Sequence, residues 1–208
     1  MDNRLFHNIS IIVSIVLLSF WWTFLLVWQR GTITVLSQLS YHYDRPSLST
    51  EIVDAARIRA IEYATTPLVQ SKDIFFTAQE VSHLHDVYFW YHRIQMSLNF
   101  CAIFSWGVLV VAIYKRKIQP SLLYSASMMM NVVILLCALG LLVFNSFFVT
   151  LHEVLFPQGN WQFPAESALI QIFPESFWKM MLAVILLILG CITMIVRMIA
   201  ATSHPHAE

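Results

Sequence analysis

Charge is what this sequence has least of. Only 12% of its 208 residues are Asp, Glu, Lys or Arg, about half the share in an ordinary soluble domain. The chain therefore cannot clothe a globular surface in solvated groups. Its 12 basic and 12 acidic side chains cancel, which leaves no electropositive field for nucleic acid. Five glycines exclude collagen-like repeats, and three cysteines are too few for a disulfide framework. The low charge accompanies 58% hydrophobic residues and a mean hydropathy of +0.68, the opposite of a disordered composition. What these absences leave is a small integral membrane protein.

Several catalytic signatures are also missing. There is no G-x-S-x-G nucleophile elbow, no Walker loop, no G-x-G-x-x-G and no H-E-x-x-H. His152-Glu153 begins like the last but continues Val154-Leu155-Phe156.

Long uncharged runs are what the chain does have: Leu5–Gln29, Ile94–Tyr114, Ile118–Leu151 and Met180–Val196. An ionised group at the bilayer centre costs at least ~2.5–3.5 kcal/mol, so these runs locate the spans. The third is too long for one straight helix; a turn near Pro120 and Ser121 is expected to open it, and its end to leave the membrane. The predicted fold is an all-α membrane protein, a four-transmembrane-helix bundle in one domain, 1–208. The spans lie at about 7–29, 94–114, 121–146 and 180–198, with loops at about 30–93 and 147–179. The first run is read as a retained anchor, its apolar stretch being longer than that of a signal peptide. Cys101, Cys137 and Cys191 fall within spans and are read as packing residues.

Four spans put both termini on one side with Lys115-Arg116-Lys117, Arg4 and Arg197. The positive-inside rule makes that side cytoplasmic. Ten acids face the other way: Asp44, Glu51, Asp54, Glu62, Asp73, Glu80, Asp86, Glu153, Glu166 and Glu175. So do His42, His83, His85, His92 and His152. Polar chemistry is thus concentrated in two outward loops.

In the first loop, Ser47-Leu48-Ser49-Thr50-Glu51 looks like a capped helix start. The helix after it either lies at the interface or packs on neighbouring protein, and Thr65-Thr66-Pro67 ends it. Thr77-Ala78-Gln79-Glu80 has the pattern of a capping box, and the helix it opens meets no Gly or Pro before Gly107. It is predicted to run straight into the second span. His83, Asp86 and Trp90 share one face of it at i, i+3, i+7; His85, Phe89 and His92 form another row. In the second loop, Asn145, Phe148 and His152 share a face, and two apolar stretches suggest a loop dipping back to the interface. His83 and His152 stand at adjacent outer ends of an antiparallel bundle, where they can face each other. Two histidines and a carboxylate at a bundle mouth suit acid–base work. The same set could hold zinc, although the spacing matches no metal signature.

The segment Glu80-Val81-Ser82-His83-Leu84-His85-Asp86-Val87 resembles the E-x-x-H-x-x-D-V signature of the lipoprotein intramolecular transacylase (Lit) family. Phe144-Asn145-x-Phe147-Phe148 leading to Leu151-His152, then Gly159-x-Trp161-x-Phe163 and Leu169-Ile170-x-Ile172-Phe173-Pro174, are similar to the rest of its pattern. Either His83 or His85 can correspond to the family's catalytic histidine, and Glu166 stands where an acid precedes Leu169-Ile170. The resemblance implies an enzyme of the bacterial cell membrane with its active site facing outside. It would move the sn-2 acyl chain of a lipoprotein's diacylglyceryl group to the α-amine of the same N-terminal cysteine, leaving lyso-form lipoprotein. Ester becoming amide needs no ATP or cofactor, and no metal is implied. His83, His85, His152 and Asp86 are then the catalytic candidates, and Glu80, Asn145, Trp161 and Trp90 the substrate-binding ones. The partners are a diacylglyceryl lipoprotein and membrane lipid, with no nucleic acid, and the chain is expected to be a monomer. A metal-dependent membrane hydrolase and a non-enzymatic accessory subunit are the alternatives. The spans carry no charged residue at mid-depth, as a transport role would require.

Overall fold

The computed structural model describes residues 3–44, 49–66 and 74–203. Among them lie eight helices and no strand: α1 Asn3–Val27, α2 Arg30–Asp44, α3 Thr50–Thr65, α4 Ala78–Tyr114, α5 Pro120–Leu142, α6 Phe144–Leu155, α7 Ala168–Ile172 and α8 Glu175–Thr202. Four of these, α1, α4, α5 and α8, are long and apolar enough to cross a membrane. The four-helix membrane class expected from the sequence is what the chain adopts. Ser47, Leu48, Pro67, Asp73 and the His42 side chain lie outside the described residues.

Packing divides the chain into two compact units. The first comprises described residues of 1–29, 96–140 and 182–208. Its core joins Ile11, Ile15, Leu122, Leu123 and Met130 to Ala112, Ala126 and Ala200. The three alanines are fully buried, and small residues let apolar helices approach closely where lipid offers no hydrophobic drive. Buried hydroxyls bond within their own helices: Ser19 Oγ donates to Ile15 O (2.8 Å), Thr23 Oγ1 to Ser19 O (2.8 Å) and Thr193 Oγ1 to Leu189 O (2.7 Å). No polar hydrogen of these is left facing hydrocarbon. Between helices, Trp21 Nε1 donates to Asn99 Oδ1 at 2.8 Å.

The turn between α4 and α5 is tight. Lys117 N donates to Ala112 O and Arg116 N to Ile113 O, the two bonds of a Schellman motif. Arg116 takes the left-handed position, with φ 49°. Pro120 then opens α5 at its first residue, where a missing N–H costs nothing.

The second unit comprises described residues of 30–95 and 141–181. Val53, Ala56, Ala60 and Tyr63 of α3 pack with Phe76, Leu84, Leu169 and Ile172. The expected capping box is present: Glu80 N donates to Thr77 Oγ1 at 3.3 Å, and Thr77 N donates to Glu80 Oε2 at 2.8 Å. The 37 residues of α4 extend about 55 Å at ~1.5 Å each, against ~30 Å of hydrocarbon. Its apolar stretch begins at Ile94, so the helix extends well beyond its apolar part at the N-terminal end. The third uncharged run breaks earlier than 146. It ends as α5 at Leu142, and Val143 (φ −112°, ψ 38°) separates off α6.

Candidate active site

Everything in this site belongs to the second unit. α4 presents its 83/86/90 face, α6 presents Phe148 and His152, and the segment 156–163 carries further side chains to both. His83 is 9% exposed and its Nδ1 is buried without a hydrogen-bond partner among the described residues. A buried polar atom left unpaired is costly in a native fold and marks a place held for something else. His152 faces it with ring centroids 6.2 Å apart and planes 26° from parallel. Even with a nitrogen of each ring turned toward the other, that separation exceeds hydrogen-bond reach. The two rings are therefore neighbours without a bond between them, and Phe156 lies beside both, at 4.6 and 5.5 Å.

The tautomer of His152 follows from its partner. Nδ1 lies 2.8 Å from Phe148 O, and a carbonyl only accepts, so Nδ1 carries the hydrogen and Nε2 keeps a free lone pair. Four aromatic rings wall the two imidazoles. Phe156 and Phe163 meet His83 edge-on at 4.6 and 5.5 Å; Phe148 and Trp161 lie 3.9 and 5.1 Å from His152. Burial in this wall is the main reason His83 is lowered from 6.5 to about 4; His152 lowers it further, while Asp86 and the Asn160 side chain pull upward. Burial also lowers His152, against the Phe148 carbonyl that raises it. Both rings are accordingly neutral near pH 7, each with an unprotonated nitrogen.

Asp86 is turned toward two amides. Its Oδ2 accepts from Gln158 Nε2 (2.7 Å) and Asn160 Nδ2 (2.6 Å), and no bond from it to an imidazole is formed among the described residues. Asn160 also reaches Ser82 Oγ at 3.2 Å. The carboxylate thus ties the 158–160 segment onto α4 and sets Asn160 beside His83. The segment can approach because Gly159 N donates to Phe156 O in a turn whose last residue has φ 76°. Pro157 follows Phe156, and a left-handed glycine closes the turn.

Glu80 is 1% exposed and has no face open to a substrate. One oxygen accepts from Thr77 N and Oγ1 (2.8 and 2.9 Å), the other from Leu169 N at 2.9 Å. It is a positioning residue that joins the starts of α4 and α7. Trp90 Nε1 donates to Leu155 O at 2.9 Å, anchoring the end of the helix that carries His152. His85 is exposed, its ring 6.2 Å from Tyr88 and on the other face of α4. His92 contacts Thr65 O at 3.3 Å. Asn145 is exposed and forms no hydrogen bond to a described residue, while the Trp161 ring lies 5.1 Å from His152. Glu166, also exposed, contributes its backbone carbonyl to Gln171 Nε2 (2.9 Å).

Sequence reasoning missed Asn160, Gln158, Phe156 and Phe163 as parts of the site. The available signal was Pro157-Gln158-Gly159-Asn160, a turn signature with two amides flanking a glycine. Among the described residues no three His, Cys, Asp or Glu side chains converge as metal ligands, because Asp86 is turned to the two amides.

Comparison with known proteins agrees with this architecture. The sequence model of the lipoprotein intramolecular transacylase family, Lit, matches residues 5–178. The solved structure of the membrane-integral lipoprotein intramolecular transacylase Lit from Bacillus cereus superposes with a TM-score of 0.76 at 15% identity. That match covers 96% of this chain and 94% of that one, and at such identity it speaks for the fold. No curated protein sequence matches. With four membrane-crossing helices and a family match over most of its length, the chain belongs to the Lit family, the lipoprotein intramolecular transacylases.

Proposed function

We propose that this enzyme transfers the sn-2 acyl chain of a lipoprotein's S-diacylglyceryl group to the α-amine of the same N-terminal cysteine, with His83 and His152 as its acid–base pair. The observation that carries this reading is the pair of neighbouring imidazoles within aromatic walls, His83 with a buried, unpartnered Nδ1 and His152 with its Nδ1 tied to Phe148 O. Donor ester and acceptor amine share one substrate, so proximity supplies several kcal/mol and no protein nucleophile is needed.

The amine lone pair attacks the ester carbonyl, forming a C–N bond and an oxyanion. A neutral imidazole takes the proton that the nitrogen sheds, and the imidazolium returns it to the glyceryl oxygen as the C–O bond breaks. The products are an amide and a free glyceryl hydroxyl. We assign the principal proton transfer to His83 and make His152, its ring fixed by Phe148 O and its Nε2 unprotonated, the second acid–base group. An α-amine titrates near ~8, so imidazoles held neutral do not compete with it for a proton before the reaction begins. Asp86 acts through Asn160 as a positioning residue. Trp161, Phe156 and Phe163 exclude water that would turn acyl transfer into hydrolysis. The site opens to the outward side of a bacterial cell membrane, where mature lipoproteins display that amine, and one chain supplies every group.

Two synthetic diacyl lipopeptides of different peptide mass, each with a different acyl chain at sn-1 and sn-2, test both details in one reaction. Mass spectrometry is expected to find only the sn-2 chain on nitrogen, and only on the peptide that brought it. N-acylation by the sn-1 chain, or exchange between peptides, contradicts the proposal.

A further inference from the structure

The first unit holds a groove that acyl transfer to an amine does not use. It runs along α5, where Arg197 of α8 is its single lining residue from another helix, has a volume of about 520 Å³, and is open to the side. Met128, Val132 and Leu135 form an apolar stripe along it at i, i+4, i+7. The polar groups in its lining are Tyr124, Ser125, Asn131 and Arg197, with no acid.

Two of them are without partners among the described residues. Arg197 is exposed, and no described carboxylate pairs with it; Asn131 is exposed and forms no hydrogen bond to a described residue. In hydrocarbon an unbonded amide is costly and an unpaired guanidinium more so. The bilayer itself has to supply their partners. Arg197 stands five residues before the end of α8 at Thr202, and Ser125 five residues after the start of α5 at Pro120. Both are therefore close to the ends of their spans, while Asn131 lies about 9 Å deeper than Ser125 by helix rise. Side chains tilt toward their helix N-terminus. In these antiparallel spans Asn131 leans outward and Arg197 inward, which brings the cation and the amide closer.

We propose that this groove binds one anionic glycerophospholipid. Its phosphate pairs with Arg197, an ester carbonyl deeper in the same lipid accepts from Asn131 Nδ2, and an acyl chain follows Met128, Val132 and Leu135. A second copy of the chain docked here about a two-fold axis would bring one Arg197 to another with no acid between them.

Native mass spectrometry of the full-length protein, released from mixed micelles holding equal phosphatidylglycerol and phosphatidylcholine, tests this. The wild type is expected to retain phosphatidylglycerol on the order of five-fold over phosphatidylcholine, the preference that one basic contact near the membrane surface confers. Arg197→Gln is expected to lose that preference, Arg197→Lys to keep most of it, and Asn131→Leu to bind less of both lipids. Equal retention by the wild type, or a preference unchanged in Arg197→Gln, overturns the proposal. A dimer that Asn131→Leu abolishes assigns the groove to a second copy and overturns it equally.

Discussion

At the residue scale, the site is built by two imidazoles kept neutral by their surroundings. His83 is held at about 4, below the ordinary 6.5, chiefly by burial. The sign of the linkage is set by that lowering: the unfolded chain takes up the proton first as pH falls. Above about pH 6.5 the group costs the fold nothing, and between about 6.5 and 4 it destabilises progressively. At pH 4.5 the penalty from His83 alone is roughly 2–3 kcal/mol. Thermal unfolding in detergent at pH 7.5 and 4.5 is expected to show this acid loss in the wild type and a clearly smaller one in His83→Gln. Equal acid losses in the two proteins would mean that His83 is not held neutral by burial.

His83 and His85 could not be told apart from the sequence, because both lie within one turn of the same capped helix. Only the partner decides between them: His152 and Phe156 lie against the 83 face, Tyr88 beside His85. Asp86 was visible as a helical neighbour of His83. Its true partners, Gln158 and Asn160, are more than 70 residues away in sequence, a distance that no local pattern spans.

At the scale of elements, Glu80 joins two helices that are 89 residues apart. Its two oxygens accept from three donors, and a glutamine would turn an NH2 toward one of them. Glu80→Gln is therefore expected to lower stability by about 1.5–3 kcal/mol, read as a fall in apparent Tm. An unchanged Tm would show that the junction does not depend on the carboxylate. The capping box itself was legible, since Thr77 and Glu80 are a local pair. So were the unbroken run of α4 and the stop of α3 at Thr65. α2 was not. Its buried face is Ile33, Leu36, Ser37 and Ser40, and serines hide an apolar period. They are tolerated inside because Ser37 Oγ donates to Ile33 O and Ser40 Oγ to Ser37 O. The break at Val143 was equally hidden, as no Gly, Pro or charge marks it.

At the scale of the whole molecule, the neutral total charge conceals a division of labour. One unit is apolar spans packed through small residues; the other holds the polar loops and the histidine pair. Spans are legible because each is set by local composition, whereas the site depends on which loops meet. Ser82 is exposed on the first turns of α4 and reports which side of the membrane the site opens to. In intact cells, Ser82→Cys is expected to react with a membrane-impermeant maleimide, while Arg116→Cys does so only after lysis. The reverse pattern would place the site on the cytoplasmic side.

The central claim is that two imidazoles, His83 and His152, move the proton of an intramolecular acyl transfer. Its most direct test is the rate of N-acyl lipopeptide formation, followed by mass spectrometry, in single alanine variants with unchanged thermal stability at pH 7.5. His83→Ala and His152→Ala are each expected to lower the rate about 10²–10⁴-fold, and His85→Ala to leave it within about two-fold. Wild-type rates in His83→Ala or His152→Ala would contradict the account.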